Sequence, residues 1–310
     1  MIKVTDIAYA RFRAPDLDAM EAFLEDFGLA RSARTDNALY MRATDEDHHV
    51  HVTELGDKAQ FIGPAFNAAS EEDLQAIAQA PGASDVEDIN EPGGGKRVRL
   101  TDPDGFEVEI VHGIKRLSRL PVNNSFKSNS GDDVRRQGDF VRLDSGPARC
   151  KRVGHIVLNT TDFKASDTFY GSNFGFVHSD ECINDEGETI FAFNRVDQGK
   201  EFVDHHTLLT VPMEKAGLGH LAFEVEDVNA VHMGHEYLKH KGYHHSWGIG
   251  RHILGSQIFD YWFDPNGFRV EHWTDGDLLN EDTPMGTSPA ATALDVQWGA
   301  GPETRLVDIP

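Results

Sequence analysis

The sequence has 310 residues, enough for one large or two ordinary domains. Its content of 39% hydrophobic and 26% charged residues is typical of a globular chain that buries a core. The 52 acidic residues outnumber the 29 basic ones and give a formal net charge of −23, which argues against nucleic acid and against an anionic membrane surface as partners, because both attract basic faces.

The first predicted elements, in residues 6–29, are an apolar strand, an amphipathic helix and a Phe-Gly stop. Asp16 precedes this helix and is a plausible cap, because its carboxylate can accept hydrogen bonds from the free amides of the first turn. At 100–109, LTDPDGFEVE, the Asp-Pro and Asp-Gly pairs predict a tight turn between two strands. We place the N-terminal domain at residues 1–113.

Residues 114–151 are polar and lack periodicity, so we predict a linker. A C-terminal domain is predicted at 152–275, where a strand, Asp162 as a helix cap, a helix and a Phe-Gly stop recur in the same order. A tail rich in Pro, Gly, Thr and Ala follows at 276–310. Its apolar anchors are Leu294, Val296 and Trp298. With these residues the tail could fold over a pocket as a lid, or it could be a disordered or interface-packing segment.

The two halves resemble each other, and each half divides again. Residues 217–243 repeat the order of strand, Asp, helix and Gly found at 154–175, at lower fidelity. The sequence therefore predicts an α+β protein in which a β-α-β-β-β unit occurs four times. Two units in each domain would curl their strands into one open barrel.

The halves differ at polar positions that the alignment makes equivalent. The second half carries His155, His220 and Glu271. The first half carries Tyr9, Gly63 and Glu109. A single histidine in a strand is more often a hydrogen-bonded core or surface residue than a ligand, but three such groups that appear together in one copy favour a shared site.

Two histidines and one carboxylate form the facial triad of non-haem iron(II) enzymes, which leaves positions open for substrate and O₂. Imidazole and carboxylate ligands suit Fe(II) or Mn(II). The stretch 250–273 places two further titratable residues, His252 and Tyr261, along a predicted hairpin that ends with Glu271.

These residues resemble the two-domain type I extradiol ring-cleaving dioxygenases of the vicinal oxygen chelate superfamily, over roughly residues 3–275. The family signature is matched by His252, Tyr261, Asp264, Pro265, Gly267 and Glu271. One departure is Asp260, which stands where the residue before the tyrosine is usually apolar. The resemblance implies two βαβββ modules per domain, the glyoxalase-like fold.

The resemblance also implies roles. His155, His220 and Glu271 would hold Fe(II), or alternatively Mn(II), and O₂ would be the co-substrate in cleavage of a catechol during degradation of aromatic compounds. The family's acid–base histidine falls within DHHTLLT, where His205 is the better candidate and His206 its neighbour.

Only one of these two histidines can face the metal, because strand side chains alternate. The first half repeats the pair as His48 and His49 without a triad. Tyr261 would hydrogen-bond the ionised substrate oxygen, and His252 would contact the substrate hydroxyl or Tyr261.

The family resemblance also bears on the substrate. Members that act on dihydroxyphenylacetate carry an arginine five residues before the histidine that matches His252, where this chain has Trp247. A tryptophan offers apolar contact without charge, so we expect a neutral or apolar substituent on the ring. A tail arginine such as Arg305 is an alternative source of positive charge.

Two other functions are compatible with parts of the sequence. A glyoxalase-type isomerase or lyase uses similar ligands on the same modules, but it typically has a second carboxylate ligand and lacks the pair of His252 and Tyr261. A metal-free protein that binds a small aromatic compound would leave the triad unexplained.

The two cysteines, Cys150 and Cys182, allow at most one disulfide and no cysteine-rich zinc site. The N-terminus lacks an apolar run of signal-peptide length, and no run is long enough for a membrane span. We expect a soluble cytoplasmic protein, and the resemblance implies a homo-oligomer.

Overall fold

The computed structural model describes residues 1–122, 127–143, 145–299 and 301. Its first module contains β1 (Val4–Ala14), α1 (Leu17–Phe27), β2 (Ala30–Arg34), β3 (Ala38–Arg42) and β4 (His51–Leu55). Its second module contains β5 (Gln60–Ala68), α2 (Glu71–Ile77), β6 (Glu87–Asp88), β7 (Lys96–Thr101) and β8 (Glu107–His112). Each module follows the predicted β-α-β-β-β order.

The two modules share one eight-stranded sheet with the order β2-β3-β4-β1-β5-β8-β7-β6. At its centre β1 and β5 are antiparallel, and each is parallel to the last strand of its own module. This arrangement relates the modules by an approximate twofold axis between β1 and β5. Between His112 and Cys150 the described residues form no helix or strand.

The second domain repeats this plan. Its first module contains β9 (Cys150–Thr160), α3 (Phe163–Phe174), β10 (Val177–Ile183), β11 (Thr189–Arg195), β12 (Val203–Asp204) and β13 (Leu208–Pro212). Its second module contains β14 (Gly217–Val225), α4 (Val228–Lys241), β15 (His245–His252), β16 (Ile258–Phe263) and β17 (Arg269–Thr274). The prediction of an α+β fold built from repeated modules is confirmed.

The tail adds strands to both edges of this second sheet. It contains β18 (Leu278–Leu279), β19 (Gly286–Pro289), a short 3₁₀ helix (Ala290–Leu294) and β20 (Val296–Gly299). The ten-stranded sheet has the order β19-β10-β11-β13-β9-β14-β17-β16-β15-β20. The segment from β19 to β20 therefore joins opposite edges of the sheet.

Local sequence signals account for the ends of these elements. Asp16 accepts hydrogen bonds from the backbone N–H groups of Asp18 and Ala19, and Asp162 accepts one from Ala165. Both residues are thus the predicted helix caps, since they satisfy amides that have no partner within the helix.

The two predicted Asp-Pro turns have the same hydrogen bonds. Asp264 Oδ1 accepts from the backbone N–H of Asn266 at 2.7 Å and of Phe268 at 2.9 Å, which closes the turn between β16 and β17. Gly267 occupies this turn with a φ of 88°, a conformation that favours glycine. Asp102 makes the equivalent bonds between β7 and β8.

The cores of the two domains are continuous. Phe66 packs on Phe176 with ring centroids 5.2 Å apart, and the hydroxyl of Tyr170 donates to Asp102 Oδ2 at 3.0 Å. No helix among the described residues is long and apolar enough to cross a membrane. Cys150 and Cys182 are buried and unpaired.

We predict that Gly28→Ala strongly destabilises the protein. Gly28 ends α1 with a φ of 116°, and a Cβ there would overlap the carbonyl oxygen of Ala148. Strain and overpacking together should lower the free energy of unfolding by roughly 2–5 kcal/mol. The measurement is urea denaturation, with Gly82→Ala as the control.

Gly82 also has a positive φ, of 81°, but a Cβ there would meet no atom within 4 Å. Its substitution should lower the free energy of unfolding by only about 1–2 kcal/mol. If both variants lost the same free energy of unfolding, the contact between residue 28 and Ala148 would not be the cause of the destabilisation.

Candidate metal centre

The strand register brings the three predicted ligands together. His155 on β9 lies opposite Ala222 on β14, and Ala222 lies opposite Glu271 on β17. His220 precedes Ala222 by two residues, and alternation places both side chains on the same face of the sheet. A register shift between Leu218 and His220 marks a local irregularity just before this ligand. The three side chains therefore converge although no local motif links them.

The three donor atoms form a compact triangle. His155 Nε2 lies 3.0 Å from Glu271 Oε2, His220 Nε2 lies 3.2 Å from the same oxygen, and the two Nε2 atoms are 3.3 Å apart. Ligands that bind a metal at about 2.0–2.2 Å have similar separations. The second oxygen of Glu271, Oε1, is buried and has no hydrogen-bond partner among the described residues. The donor set fits a divalent cation.

Electrostatics keep this donor set in the forms that bind metal. Burial opposes ionisation of Glu271, but the imidazoles of His155 and His220 outweigh it and hold the pKa of the carboxyl well below its usual range. Burial also lowers the pKa of His220, although Glu271 opposes this effect. The site therefore offers a carboxylate and a neutral imidazole at neutral pH, as metal coordination requires.

The first domain uses the equivalent carboxylate differently. Tyr9, Ala65 and Glu109 form the matching row across β1, β5 and β8. The hydroxyl of Tyr9 donates to Glu109 Oε2 at 2.6 Å, and the guanidinium groups of Arg11 and Arg97 each lie 3.0 Å from Oε1. Glu109 is thus neutralised by arginines, whereas Glu271 faces two imidazoles.

The same row continues beyond Glu271 in the second domain. Tyr261 on β16 lies opposite Glu271, and Trp247 on β15 lies opposite Tyr261. The rings of Trp247 and Tyr261 are stacked, with centroids 5.5 Å apart and an interplanar angle of 7°. The Tyr261 hydroxyl lies 2.9 Å from His252 Nε2, and burial lowers the pKa of His252 to about 4, so this imidazole is neutral.

The two adjacent histidines have different surroundings in the structure. His206 lines the cavity, with its ring centroid 4.2 Å from that of His155, whereas His205 lies behind it with Nε2 2.6 Å from Asp180 Oδ2. This placement favours His206 over the expected His205 as the histidine next to the triad. Both residues lie in the bend before β13, so the alternation rule for strands does not apply to them.

A cavity of about 350 Å³ opens over the triad. Most of its walls are apolar, and the 3₁₀ helix of the tail contributes three alanines to them: Ala290, Ala291 and Ala293. The main apolar side chains of the lining are Val157, Ile190, Phe191, Phe193, Leu209, Val211, Met213, Trp247 and Leu254. Two of the triad residues, His155 and His220, line the cavity, and no carboxylate is among its lining residues in the described part of the chain.

Arg269 and Asp180 are among the polar residues at the site that sequence reasoning missed. Arg269 lines the cavity, and its guanidinium lies 5.8 Å from the centroid of the Tyr261 ring. Its position two residues before Glu271 on the same strand was a signal that could have been used, because alternation gives both side chains the same face. Asp180 lies on β10, and no local motif links it to His205.

The chain also resembles known proteins. The family model described as the Glyoxalase/Bleomycin resistance protein/Dioxygenase superfamily matches residues 6–110 and 152–272. Metapyrocatechase 2 of Cupriavidus necator is 31% identical over 300 residues, which cover 96% of this chain and 89% of that protein. The iron-dependent extradiol dioxygenase of Rhodococcus jostii is 25% identical over 96% of this chain and 97% of its own length. A manganese-dependent 2,3-dihydroxybiphenyl 1,2-dioxygenase of Geobacillus genomosp. 3 is 24% identical over 86% of this chain and 83% of its own length.

Solved structures share the fold. The Mn(II)-bound glyoxalase from Novosphingobium aromaticivorans superposes with a TM-score of 0.81 at 24% identity, covering 100% of this chain and 96% of that one. Homoprotocatechuate 2,3-dioxygenase from Brevibacterium fuscum, in complex with 3,4-dihydroxyphenylacetate, superposes with a TM-score of 0.80 at 21% identity. The superposition covers 98% of this chain and 92% of that one.

The chain belongs to the glyoxalase, bleomycin resistance protein and dioxygenase superfamily. Within that superfamily it is a metal-dependent extradiol dioxygenase, an oxidoreductase whose triad of His155, His220 and Glu271 suits Fe(II) or Mn(II).

We predict that Glu271→Gln weakens Fe(II) binding roughly a hundredfold or more, because even the loss of a residue that only supports a ligand weakens binding by about 10–100-fold. The equivalent substitution in the first domain, Glu109→Gln, is the matched control. It should leave Fe(II) affinity unchanged and lower the free energy of unfolding by about 3 kcal/mol, since it removes the charge that pairs with two buried arginines.

Both affinities are measured by calorimetric titration of the metal-free protein under anaerobic conditions. Retention of wild-type affinity in Glu271→Gln, or its loss in Glu109→Gln, would contradict the assignment of the metal centre to the second domain.

Proposed function

We propose that the protein cleaves catechols with a neutral or apolar ring substituent, with His155, His220 and Glu271 as the metal ligands. The observation that carries this proposal is the position of the triad in a cavity whose remaining walls are largely apolar. Trp247 stands in that lining and its indole N–H donates to the backbone carbonyl of Gly301 at 2.8 Å. The indole therefore offers the cavity an apolar surface.

Bound to the triad, Fe(II) or Mn(II) would supply Lewis acidity and a path for electron density from a chelated catechol to O₂. Both oxygen atoms are incorporated as the ring opens beside its hydroxyl groups. The residues around the triad must then bind and orient the catechol, and must accept and return its protons.

Tyr261 and His252 orient one catechol oxygen in this proposal. Their hydrogen bond of 2.9 Å fixes the phenol on the triad side of β16, next to Glu271 in the strand register. Because His252 is neutral, it can accept the Tyr261 proton and leave the phenol oxygen available to a substrate hydroxyl, or donate to that oxygen in the other tautomer. Either arrangement supports an ionised substrate oxygen next to the ligands.

His206 is the acid–base residue in this proposal. Asp180 Oδ2 accepts a hydrogen bond from His205 Nε2, so a neutral His205 accepts at Nδ1, where His206 Nδ1 lies 3.1 Å away. His206 then donates from Nδ1 and keeps Nε2 unprotonated, able to accept a proton from a hydroxyl and return it later. Burial, reinforced by nearby imidazoles, holds the pKa of His206 well below its ordinary range, consistent with a neutral ring.

The tail is part of the proposed substrate site. The strands β19 and β20 pair with β10 and β15, on opposite edges of the sheet, and the 3₁₀ helix between them lines the cavity. We infer that this segment acts as a lid over the substrate. Arg305, considered above as a source of charge, lies outside the described residues.

Two broader expectations remain proposals. The family resemblance supports a homo-oligomer, which sedimentation of the purified protein would reveal. It also supports a cytoplasmic location, where the acidic surface is compatible with solubility.

The proposed function is tested by oxygen uptake. The protein is loaded anaerobically with Fe(II) and supplied with neutral and carboxylated catechols, and O₂ consumption and the yellow ring-opened product are recorded together. We expect both with neutral catechols, and neither in His155→Ala. Metal binding without oxygen uptake on any catechol would instead favour the isomerase or lyase function.

We predict that His206→Asn lowers kcat by about 10²–10⁴-fold, the usual contribution of general acid–base catalysis. The matched control is His49→Asn, at the equivalent position of the first domain, where the His48 and His49 Nδ1 atoms also lie 3.0 Å apart. It should leave kcat unchanged. A larger loss of kcat in His205→Asn than in His206→Asn would return the acid–base role to His205.

We predict that Trp247→Arg shifts specificity toward carboxylated catechols. A charge-assisted hydrogen bond contributes about 1.5–3 kcal/mol, so the ratio of kcat/KM for dihydroxyphenylacetate to that for a methylcatechol should rise about tenfold or more. Trp247→Phe keeps the apolar ring and should leave the ratio nearly unchanged. A wild-type preference for dihydroxyphenylacetate would contradict the proposed substrate class without affecting the ring-cleaving activity.

A further inference from the structure

A second group of metal-binding side chains lies on the other face of the catalytic sheet. It consists of His235 on α4, His245 at the start of β15 and Asp260 on β16. Asp260 precedes Tyr261, so alternation directs the Asp260 side chain away from the cavity and toward α4. This His-His-Asp cluster is therefore separated from the triad by the sheet itself.

One carboxylate oxygen is shared by both histidines of the cluster. Asp260 Oδ1 lies 3.1 Å from His235 Nδ1 and 2.8 Å from His245 Nε2, and all three donor atoms lie within 4.8 Å of one another. The other oxygen, Oδ2, accepts a hydrogen bond from the indole of Trp262 at 2.6 Å and lies 3.2 Å from His235 Nδ1. Trp262 thus holds the carboxylate in one orientation, as residues around metal sites commonly do for a ligating carboxylate.

The three residues of the cluster differ in their exposure to solvent. Asp260 is fully buried, whereas the side chains of His235 and His245 are 16% and 31% exposed. A buried carboxylate needs a compensating positive charge. The two partly exposed imidazoles therefore form the side of the cluster that faces solvent.

We propose that His235, His245 and Asp260 form a second metal site, which binds a divalent transition metal such as Zn²⁺. Zn²⁺ prefers four ligands, with metal–ligand bonds of about 2.0–2.2 Å, and tetrahedral geometry places its ligands roughly 3.3 Å apart. The observed separations from Asp260 Oδ1 are close to this value and similar to those within the triad. A water molecule on the exposed side completes the four ligands.

The charge on the cluster also suits a metal in place of a proton. Burial opposes ionisation of Asp260, but His235 and His245 outweigh it and hold the pKa of the carboxyl below its usual value. A divalent cation bound by both imidazoles would supply the positive charge that the buried carboxylate needs.

A metal at this second site would also affect the position of the strands that line the cavity. A metal bound there connects α4 to the two strands that carry Trp247, His252 and Tyr261 on their opposite face. It would therefore hold the β15–β16 hairpin against the helix without touching substrate. The site is independent of the proposed reaction and of the metal at the triad.

The test uses the full chain with the triad disabled by His155→Ala and Glu271→Ala. Metal-free protein is titrated with Zn²⁺ by calorimetry and with Co²⁺ by visible absorption, which distinguishes tetrahedral coordination. We expect one equivalent of Zn²⁺ per chain, an intense tetrahedral Co²⁺ spectrum, and at least tenfold weaker Zn²⁺ binding when Asp260→Asn or His245→Gln is added.

The matched control is His244→Gln, which changes the exposed histidine next to His245 and should leave the titration unchanged. Circular dichroism verifies that each variant is folded, and two independent ligand substitutions guard against loss of one of them to misfolding. Absence of Zn²⁺ binding in the triad-disabled protein, or binding that is insensitive to both Asp260→Asn and His245→Gln, would overturn the proposal. Either result leaves the proposed ring-cleaving function untouched, because the titration uses protein whose triad is disabled and the oxygen-uptake test uses protein whose triad is intact.

Discussion

The alignment of strands β9, β14, β17, β16 and β15 is the constraint on which the functional site depends. It places His155, Glu271, Tyr261 and Trp247 in one row across the sheet, with His220 beside them. Because side chains alternate along each strand, a slip of one residue in any of these pairings would move a ligand to the opposite face. The buried core below the row therefore stabilises the site as well as the fold.

The two domains show how one fold accommodates different chemistry at the same position. Glu109 and Glu271 occupy equivalent positions within β8 and β17, and both are buried. Arginines and a tyrosine surround the first, so its charge is compensated by the protein itself. Imidazoles surround the second, and they can share a cation with it. The backbone is the same at both positions, so the neighbouring side chains decide whether the glutamate forms ion pairs or binds a metal.

The β15–β16 hairpin has two functional faces. Trp247 and Tyr261 point into the cavity, while Asp260 points toward α4 and the two histidines packed there. On β16 this division follows from the period of two along a strand. On β15 a register shift between His245 and Trp247 allows these residues, two positions apart, to face opposite sides. The same hairpin is also the edge to which the tail strand β20 pairs, so the tail, the cavity and the His-His-Asp cluster all depend on its position.

Sequence alone determined the repeated α+β architecture, the helix caps and turns, and the membership of the triad, because these depend on local hydrogen-bonding preferences and on differences between internal copies. Tertiary structure decided which of two adjacent histidines faces the cavity, since His205 and His206 lie in a bend where strand alternation gives no guidance. It also brought Asp180 to His205 and Asp260 to His235. Those contacts join residues on separate elements, and only the packing of the sheet against its neighbours determines the distances between them.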